Sequence, residues 1–186
     1  MFLLATAFVM ASVVFTGGRV QRLATFKVRA SWLLVLALVL QFLTMSAFPN
    51  ADRVLLGTLH LVSYVMAGVM VFLNRGVRGV PTIGLGGLLN GLAIAANAGT
   101  MPASPAAVAT AGLASASGGF ENSAPLASPN LSFLGDVFAI PASWPVHNVF
   151  SVGDLGIVLG AAILLHFACG SRVARARLVA RLCRWC

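Results

Sequence analysis

The sequence predicts an all-α integral membrane protein with five transmembrane helices, and three observations support this fold class. First, 59% of the 186 residues are hydrophobic and only 9% are charged, whereas a soluble domain carries about 25% charged residues. Second, apolar segments of nearly membrane-spanning length recur along the chain. Third, the basic residues lie in short runs between these segments, which is the pattern that orients membrane helices.

Five segments are apolar and close to the roughly 20 residues that a helix needs to cross a bilayer. They are 2–16, 31–48, 54–73, 81–98 and 152–169. The first is similar in apolar character to a signal peptide, but its positive charges follow the apolar core instead of preceding it. We therefore expect a retained helix, within a single membrane domain that covers residues 1–186.

The basic residues predict the orientation of the chain. They concentrate in the loops 17–30 and 74–80 and in the tail 170–186, which five spans place on one side. Because basic loops stay in the cytoplasm, we expect the N-terminus outside and the C-terminus in the cytoplasm of a bacterial plasma (inner) membrane. This pattern accounts for the net charge of +8, so the expected partner is the lipid bilayer and no nucleic acid.

The outer loop 99–151, between the fourth and fifth spans, changes character halfway. Residues 99–130 are rich in Ala, Ser, Pro and Gly, which predicts a flexible extracytoplasmic loop with a short helix at 106–114. From Leu131 the chain is apolar, so we expect it to lie in the membrane interface or to re-enter the membrane. Trp144 fits an interfacial anchor, and the basic tail fits a helix lying on anionic lipid.

Asp136 and Asp154 are two of only four acidic residues, and they flank one short segment beside the last span. A carboxylate at the edge of hydrocarbon is costly to ionise, so its presence needs an explanation. A structural explanation is available: Ser151 and Asp154 have the spacing of a helix capping box, and Asp136 after Gly135 fits a turn that bonds its own backbone. A catalytic pair or an ion or ligand site are the alternatives.

The overall layout resembles an uncharacterised bacterial family of small multi-spanning membrane proteins, a domain of unknown function. The stretches that carry this resemblance are TGGRVQRLATFKVRASWLLVLALVLQF, LNGLAIAANAGTMP, FLGDVFAIP and FSVGDLGIVLG. The resemblance itself extends over most of the chain. The resemblance implies a fold and no activity.

A narrower resemblance concerns residues 135–160, where LGDVF, SWPVHNV and FSVGD resemble the catalytic region of lipoprotein signal peptidase (signal peptidase II). It implies that Asp136 and Asp154 form a catalytic dyad on the extracytoplasmic side, with a membrane-anchored peptide as substrate. Ser151 stands where that family has Asn, although Asn148 is close by, and we include both as supporting residues. The family's upstream Asn-x-x-Asp-Arg motif is missing, and that family has four spans.

Small and polar residues predict that the fourth and fifth spans touch. Gly87 with Gly91, and Gly156 with Gly160, are small-xxx-small pairs that permit close helix contact. Asn90 lies within the fourth span and should hydrogen-bond to another helix. Asn97 lies on the same face, near the outer surface, and is a further supporting residue because it could reach the aspartates.

The resulting hypothesis is an aspartyl peptidase-like membrane hydrolase in which Asp136 and Asp154 share a proton. One carboxyl group would activate a water while the other acts as acid toward the scissile carbonyl. The alternative is a non-catalytic accessory subunit of another membrane protein, or a small-ligand-binding protein, in which these aspartates are structural. His147 and Asp136 lack metal-site spacing, and His60 and His166 lie at different depths. We therefore expect neither a metal nor a cofactor.

Overall fold

The structure, a computed structural model, describes residues 2–44, 51–113 and 122–174, and this part of the chain is mostly helical. The helices are α1 (Phe2–Phe15), α2 (Ser31–Phe42), α3 (Arg53–Leu73), α4 (Val80–Ala96), α5 (Pro105–Ala111) and α6 (Val152–Cys169). Strand β1 (Met101–Pro102) pairs in parallel with β2 (Ser123–Ala124). Strand β3 (Phe138–Ile140) pairs antiparallel with β4 (Asn148–Phe150).

A helix lies in each of the five segments that the sequence marks as apolar. Of these, α3 and α6 are long and apolar enough to cross a membrane, with mean hydropathies of 1.9 and 2.0, and α1, α2 and α4 are apolar but shorter. The α-helical part of α2 extends to Phe42, and the end of the predicted span 31–48 lies outside the described ranges, which omit residues 45–50. The described chain is mostly helical, as the all-α fold class predicts, and it also has four strands of two or three residues between α4 and α6.

The helices pack in the order α2, α3, α4, α6, α1, and the contact between α4 and α6 is the most extensive. Gly79 at the start of α4 lies against Gly160, whereas Gly86 lies against Gly153 at the start of α6. The two helices are therefore antiparallel. The predicted contact between the fourth and fifth apolar segments is confirmed.

Hydrogen bonds join the helix ends that carry most of the basic residues. The Arg19 N–H donates to the Cys169 carbonyl at 2.9 Å, which joins the ends of α1 and α6. The Asn74 side chain accepts from the Arg29 N–H at 2.9 Å and donates to its carbonyl at 2.8 Å, which joins α3 to the start of α2. We call this side the basic end; it carries Arg19, Arg22, Lys27, Arg29, Arg75, Arg78 and Arg172.

The opposite side, the acidic end, carries Asp52, Asp136 and Asp154 and is covered by the segment between α4 and α6. This segment has more regular structure than the flexible loop that its composition predicts. The short helix α5 buries Ala107 and Ala111 and packs against β3 and β4, and small alanines permit that close approach. Residues 114–121 and the tail from residue 175, including the cysteines Cys183 and Cys186, lie outside the described part.

Candidate functional site

The first turn of α6 is a closed hydrogen-bonded cap. The Ser151 hydroxyl accepts from the Asp154 N–H at 3.0 Å, and the Asp154 Oδ2 accepts from the Ser151 N–H at 3.0 Å. This is the capping box that the sequence predicts, and it satisfies two backbone donors that a helix start leaves open. The negative charge of Asp154 also lies at the positive end of the helix dipole.

Asn90 of α4 closes this cap into a ring of hydrogen bonds. Its Nδ2 donates to the Asp154 Oδ1 at 2.8 Å, and its Oδ1 accepts from the Ser151 hydroxyl at 2.8 Å. Ser151, Asn90 and Asp154 are 0%, 4% and 9% exposed. Each carboxylate oxygen of Asp154 therefore accepts a bond inside the protein, and the prediction that Asn90 bonds another helix is confirmed.

Glycines bring α4 and α6 close enough for this ring to form. A Cβ on Gly153 would collide with the Asn90 side chain, and a Cβ on Gly86 would collide with the Gly153 carbonyl. Gly156 and Gly160 lie at the interface as predicted. The pair predicted on α4 is wrong, because Gly87 faces open space and Gly91 faces Tyr64 of α3. The register of α4 turns Gly86 and Asn90, four residues apart, toward α6.

Asp136 is held by the covering segment rather than by a helix. Its N–H donates to the Pro102 carbonyl at 2.9 Å, and its carbonyl accepts from the Ser104 N–H at 3.0 Å. Its Oδ2 accepts a hydrogen bond from the Ser123 hydroxyl at 2.5 Å. Asp136 thus ties together β1, β2 and the start of α5. This differs from the predicted turn, in which the side chain bonds its own backbone.

Asp136 is 7% exposed, and burial raises the pKa of its carboxyl group from 3.8 to about 6. The hydrogen bond from Ser123 opposes this rise, whereas the charge of Asp154 adds to it. The two aspartates are therefore electrostatically coupled although separate hydrogen-bond networks hold them. Asp136 can exchange a proton near neutral pH, which is the property expected of an acid–base or ligand-binding group.

Tyr64 of α3 is the part of this site that the sequence analysis missed. The charges of both Asp136 and Asp154 act on its phenol group, and its ring meets the His60 ring edge-on with centroids 5.4 Å apart. The His60 Nδ1 lies 2.6 Å from the Gly99 carbonyl oxygen, which fixes α3 to the end of α4. The available signal was the spacing of His60 and Tyr64, since residues four apart share a helix face.

Asn97 and Asn148, the remaining predicted supporting residues, form hydrogen bonds with groups other than the two carboxylates. Asn97 ends α4 and bonds the Asn130 backbone through both side-chain atoms, at 2.8 Å each. Asn148 lies in β4, and its Oδ1 accepts from the neighbouring Val149 N–H at 2.9 Å, whereas His147 is exposed. Within the described ranges, no group of three His, Cys, Asp or Glu could hold a metal ion. The structure thus brings together Asp154, Ser151 and Asn90, with Asp136 nearby.

The chain belongs to the family of unknown function (DUF5317), whose profile matches residues 25–166. That match includes four of the five long helices in whole or in large part, the covering segment and both aspartates. No curated protein and no solved structure matches the chain significantly.

Proposed function

We propose that this member of the DUF5317 family is a multi-pass membrane protein whose five spans are α1, α2, α3, α4 and α6. The proposal rests on the surface of these helices, which is covered by large apolar side chains. In the most apolar windows of α3 and α6, only 22% and 17% of the residues are buried, whereas the core helix of a soluble protein is buried over most of its length. Hydrocarbon is the environment that such exposed apolar helices favour.

The basic end faces the cytoplasm in this proposal, and the acidic end faces outward. Seven of the described basic residues gather at the basic end, and Arg53 is the described exception. The positive-inside rule favours this orientation. It places the N-terminal end of α1 outside and Asp136 and Asp154 at the extracytoplasmic edge of the membrane.

Single-cysteine labelling tests the orientation. Cys169, Cys183 and Cys186 are replaced by serine, and either Lys27 or Ser143, both exposed, is replaced by cysteine. A membrane-impermeant maleimide applied to intact cells should label Ser143→Cys and should label Lys27→Cys only after the membrane is opened. The reverse pattern would overturn the orientation, and labelling of both in intact cells would overturn the membrane placement of the helices between them.

The role that the site supports best is non-catalytic: an accessory subunit of another membrane protein or a small-ligand-binding protein. One observation carries this proposal, namely that both oxygens of Asp154 accept hydrogen bonds from groups held in place by α4 and α6. A catalytic base must direct a free lone pair at the water that it deprotonates, and a residue that is only 9% exposed offers a water little access. Asp154 instead fastens α6 to α4, while Asp136 is the carboxyl group that can bind a ligand or a proton.

A second candidate is an aspartyl hydrolase acting on a membrane-anchored peptide at the outer edge of the membrane. It is favoured by the electrostatic coupling, in which the Asp154 charge helps to raise the pKa of Asp136. In that mechanism Asp154 accepts a proton from a water whose oxygen attacks the scissile carbonyl carbon, and Asp136 donates a proton to the carbonyl oxygen. As the peptide bond breaks, Asp154 passes the proton taken from the water to the leaving nitrogen, and the carbonyl oxygen returns its proton to Asp136.

Asparagine substitutions separate the two roles because their structural costs differ. In Asp154→Asn a donor replaces one carboxylate oxygen, so either two N–H groups face each other, at Ser151 or at Asn90, or the Asn90 amide flips and the Ser151 hydroxyl loses its acceptor. Leaving such buried groups unsatisfied costs roughly 1–3 kcal/mol. In Asp136→Asn the amide oxygen still accepts from Ser123. Asp52→Asn is the control, because the exposed Asp52 caps α3 and asparagine caps helices equally well.

Protein level in membranes and cleavage of a membrane-anchored peptide are then measured for each variant. The non-catalytic role predicts that Asp154→Asn alone lowers the protein level and that no cleavage depends on either aspartate. If both Asp136→Asn and Asp154→Asn abolish cleavage while the protein level stays normal, the hydrolase is correct and the non-catalytic role fails.

A further inference from the structure

A cavity of about 330 Å³ lies at the basic end, far from the two buried aspartates, between the α3–α4 turn and α6. Its walls combine two guanidinium groups with apolar surface: Arg75, Arg78, Pro81, Thr82, Ile163 and Phe167. The volume suits a small polar group with a few carbons attached. None of the roles proposed above uses this cavity.

Both arginines are fixed at the cavity by aromatic rings. The Arg78 guanidinium carbon lies 4.3 Å from the centre of the Phe167 ring, and that of Arg75 lies 4.2 Å from the centre of the Phe72 ring. Arg75 also donates from Nη1 to the Phe72 carbonyl at 3.0 Å. Stacking of this kind holds a guanidinium in place while leaving its in-plane N–H groups available.

The described part of the chain supplies no carboxylate to balance these charges. Its acidic residues are Asp52, Asp136 and Asp154, and all three lie at the opposite end of the helices. Arg75 and Arg78 are therefore positive groups beside a cavity without an acidic neighbour. An anion from outside the chain is the partner that complements them.

We propose that this cavity binds the phosphate group of an anionic phospholipid. The N–H groups of a guanidinium match phosphate oxygens in geometry, and Ile163 and Phe167 offer apolar contact to the glycerol carbons. The inference rests on the proposed membrane orientation, which puts the cavity at the cytoplasmic surface, where anionic lipids bind basic pockets between helices. It adds a lipid partner that is independent of the aspartates.

Two variants of the full chain test the site, one by removing a charge and the other by filling the cavity. Arg78→Gln removes the charge that stacks on Phe167. Gly76→Phe leaves every charge in place but fills space, because Gly76 lines the cavity and a Cβ there would meet nothing within 4 Å. Lys27→Gln is the control: it removes one exposed charge from the basic end but not from the cavity.

The purified variants are reconstituted in nanodiscs of phosphatidylcholine and phosphatidylglycerol in equal amounts, and retained lipid is measured by native mass spectrometry. We expect the wild type to retain phosphatidylglycerol selectively. Loss of a charge-assisted hydrogen bond should lower this retention about tenfold in Arg78→Gln, and Gly76→Phe should lower it as well. Lys27→Gln should behave as the wild type.

Three results would overturn the proposal. One is equal loss in Lys27→Gln, which indicates diffuse surface charge. The second is unchanged retention in both Arg78→Gln and Gly76→Phe; if Arg78→Gln does not accumulate, unchanged retention in Gly76→Phe alone overturns the proposal. The third is displacement of the lipid by an equal concentration of inorganic phosphate, which indicates a free-anion site. Because nanodiscs expose both faces, these results do not depend on the orientation, which cysteine labelling tests separately.

Discussion

The free energy of unfolding of Asp136→Asn, measured relative to that of the wild type, should be larger at neutral pH than at acidic pH. The pKa of Asp136 is 3.8 ordinarily and about 6 in the folded chain, because burial disfavours the carboxylate. Between these two pH values the unfolded chain has lost its proton while the folded chain still holds it. The free energy of unfolding of the wild type therefore falls as pH rises through this window.

The size of the effect follows from the shift. The difference between 3.8 and about 6 is about two pH units, and at ~1.4 kcal/mol per unit it corresponds to about 3 kcal/mol. The side chain is only 7% exposed, so solvent screens little of this energy. The amide group that Asp136→Asn introduces cannot ionise and still accepts from Ser123, so the variant avoids this whole contribution.

The assay is denaturant unfolding of the purified protein in detergent from pH 4 to pH 8. At each pH the wild-type value is subtracted from that of Asp136→Asn, which cancels the titration of the other groups. The difference should grow by about 3 kcal/mol on going from acidic to neutral pH, and it should change far less for the exposed control Asp52→Asn. A difference that stays flat, or that shrinks as pH rises, would refute the argument that burial raises the Asp136 pKa.

Two further predictions concern the contact between α4 and α6. Gly86→Ala should lower the free energy of unfolding by roughly 2 kcal/mol or more through overpacking, because its Cβ would collide with the backbone of α6. Gly87→Ala is the control and should be neutral or slightly stabilising, because Gly87 faces open space. Equal effects of the two substitutions would contradict the register of α4 against α6. Asn90→Ala removes two buried hydrogen bonds and should cost about 2–4 kcal/mol in the same assay. Asn148→Ala, which loses only a bond to the next residue, serves as its control, and a loss as large as that of Asn90→Ala would contradict the role of the ring.

The capping box at α6 could be predicted because it is local. Ser151 and Asp154 are three residues apart, and the preference of a helix start for this pair holds in any protein. The third member, Asn90, is 61 residues from Ser151. Its need for a partner was evident from its place in an apolar helix, but which partner it finds depends on how the two helices pack.

The same distinction between local contacts and contacts far apart in sequence explains which predictions from the sequence were wrong. Composition predicts a flexible loop for residues 99–130, because alanine, serine and proline carry little apolar surface. Ser123 and Met101 nevertheless join a small sheet there, and Met101 is buried against Ala93 and Ile94. The prediction that Gly87 and Gly91 contact α6 was wrong because several glycines on α4 fit the small-xxx-small pattern. Only the rotation of α4 about its axis decides which of them faces α6.

The sequence by itself determined where the five long helices lie, because each of them lies in an apolar segment that reaches or approaches the length of a membrane span. It also determined the cap at Asp154 and the separation of basic and acidic residues, which follow from neighbouring positions along the chain. Only the tertiary structure decided which side chains meet: Asn90 with Asp154, Ser123 with Asp136, and Tyr64 within reach of both charges. Contacts between residues far apart in sequence depend on helix rotation and register, and these are set by close packing of the whole molecule.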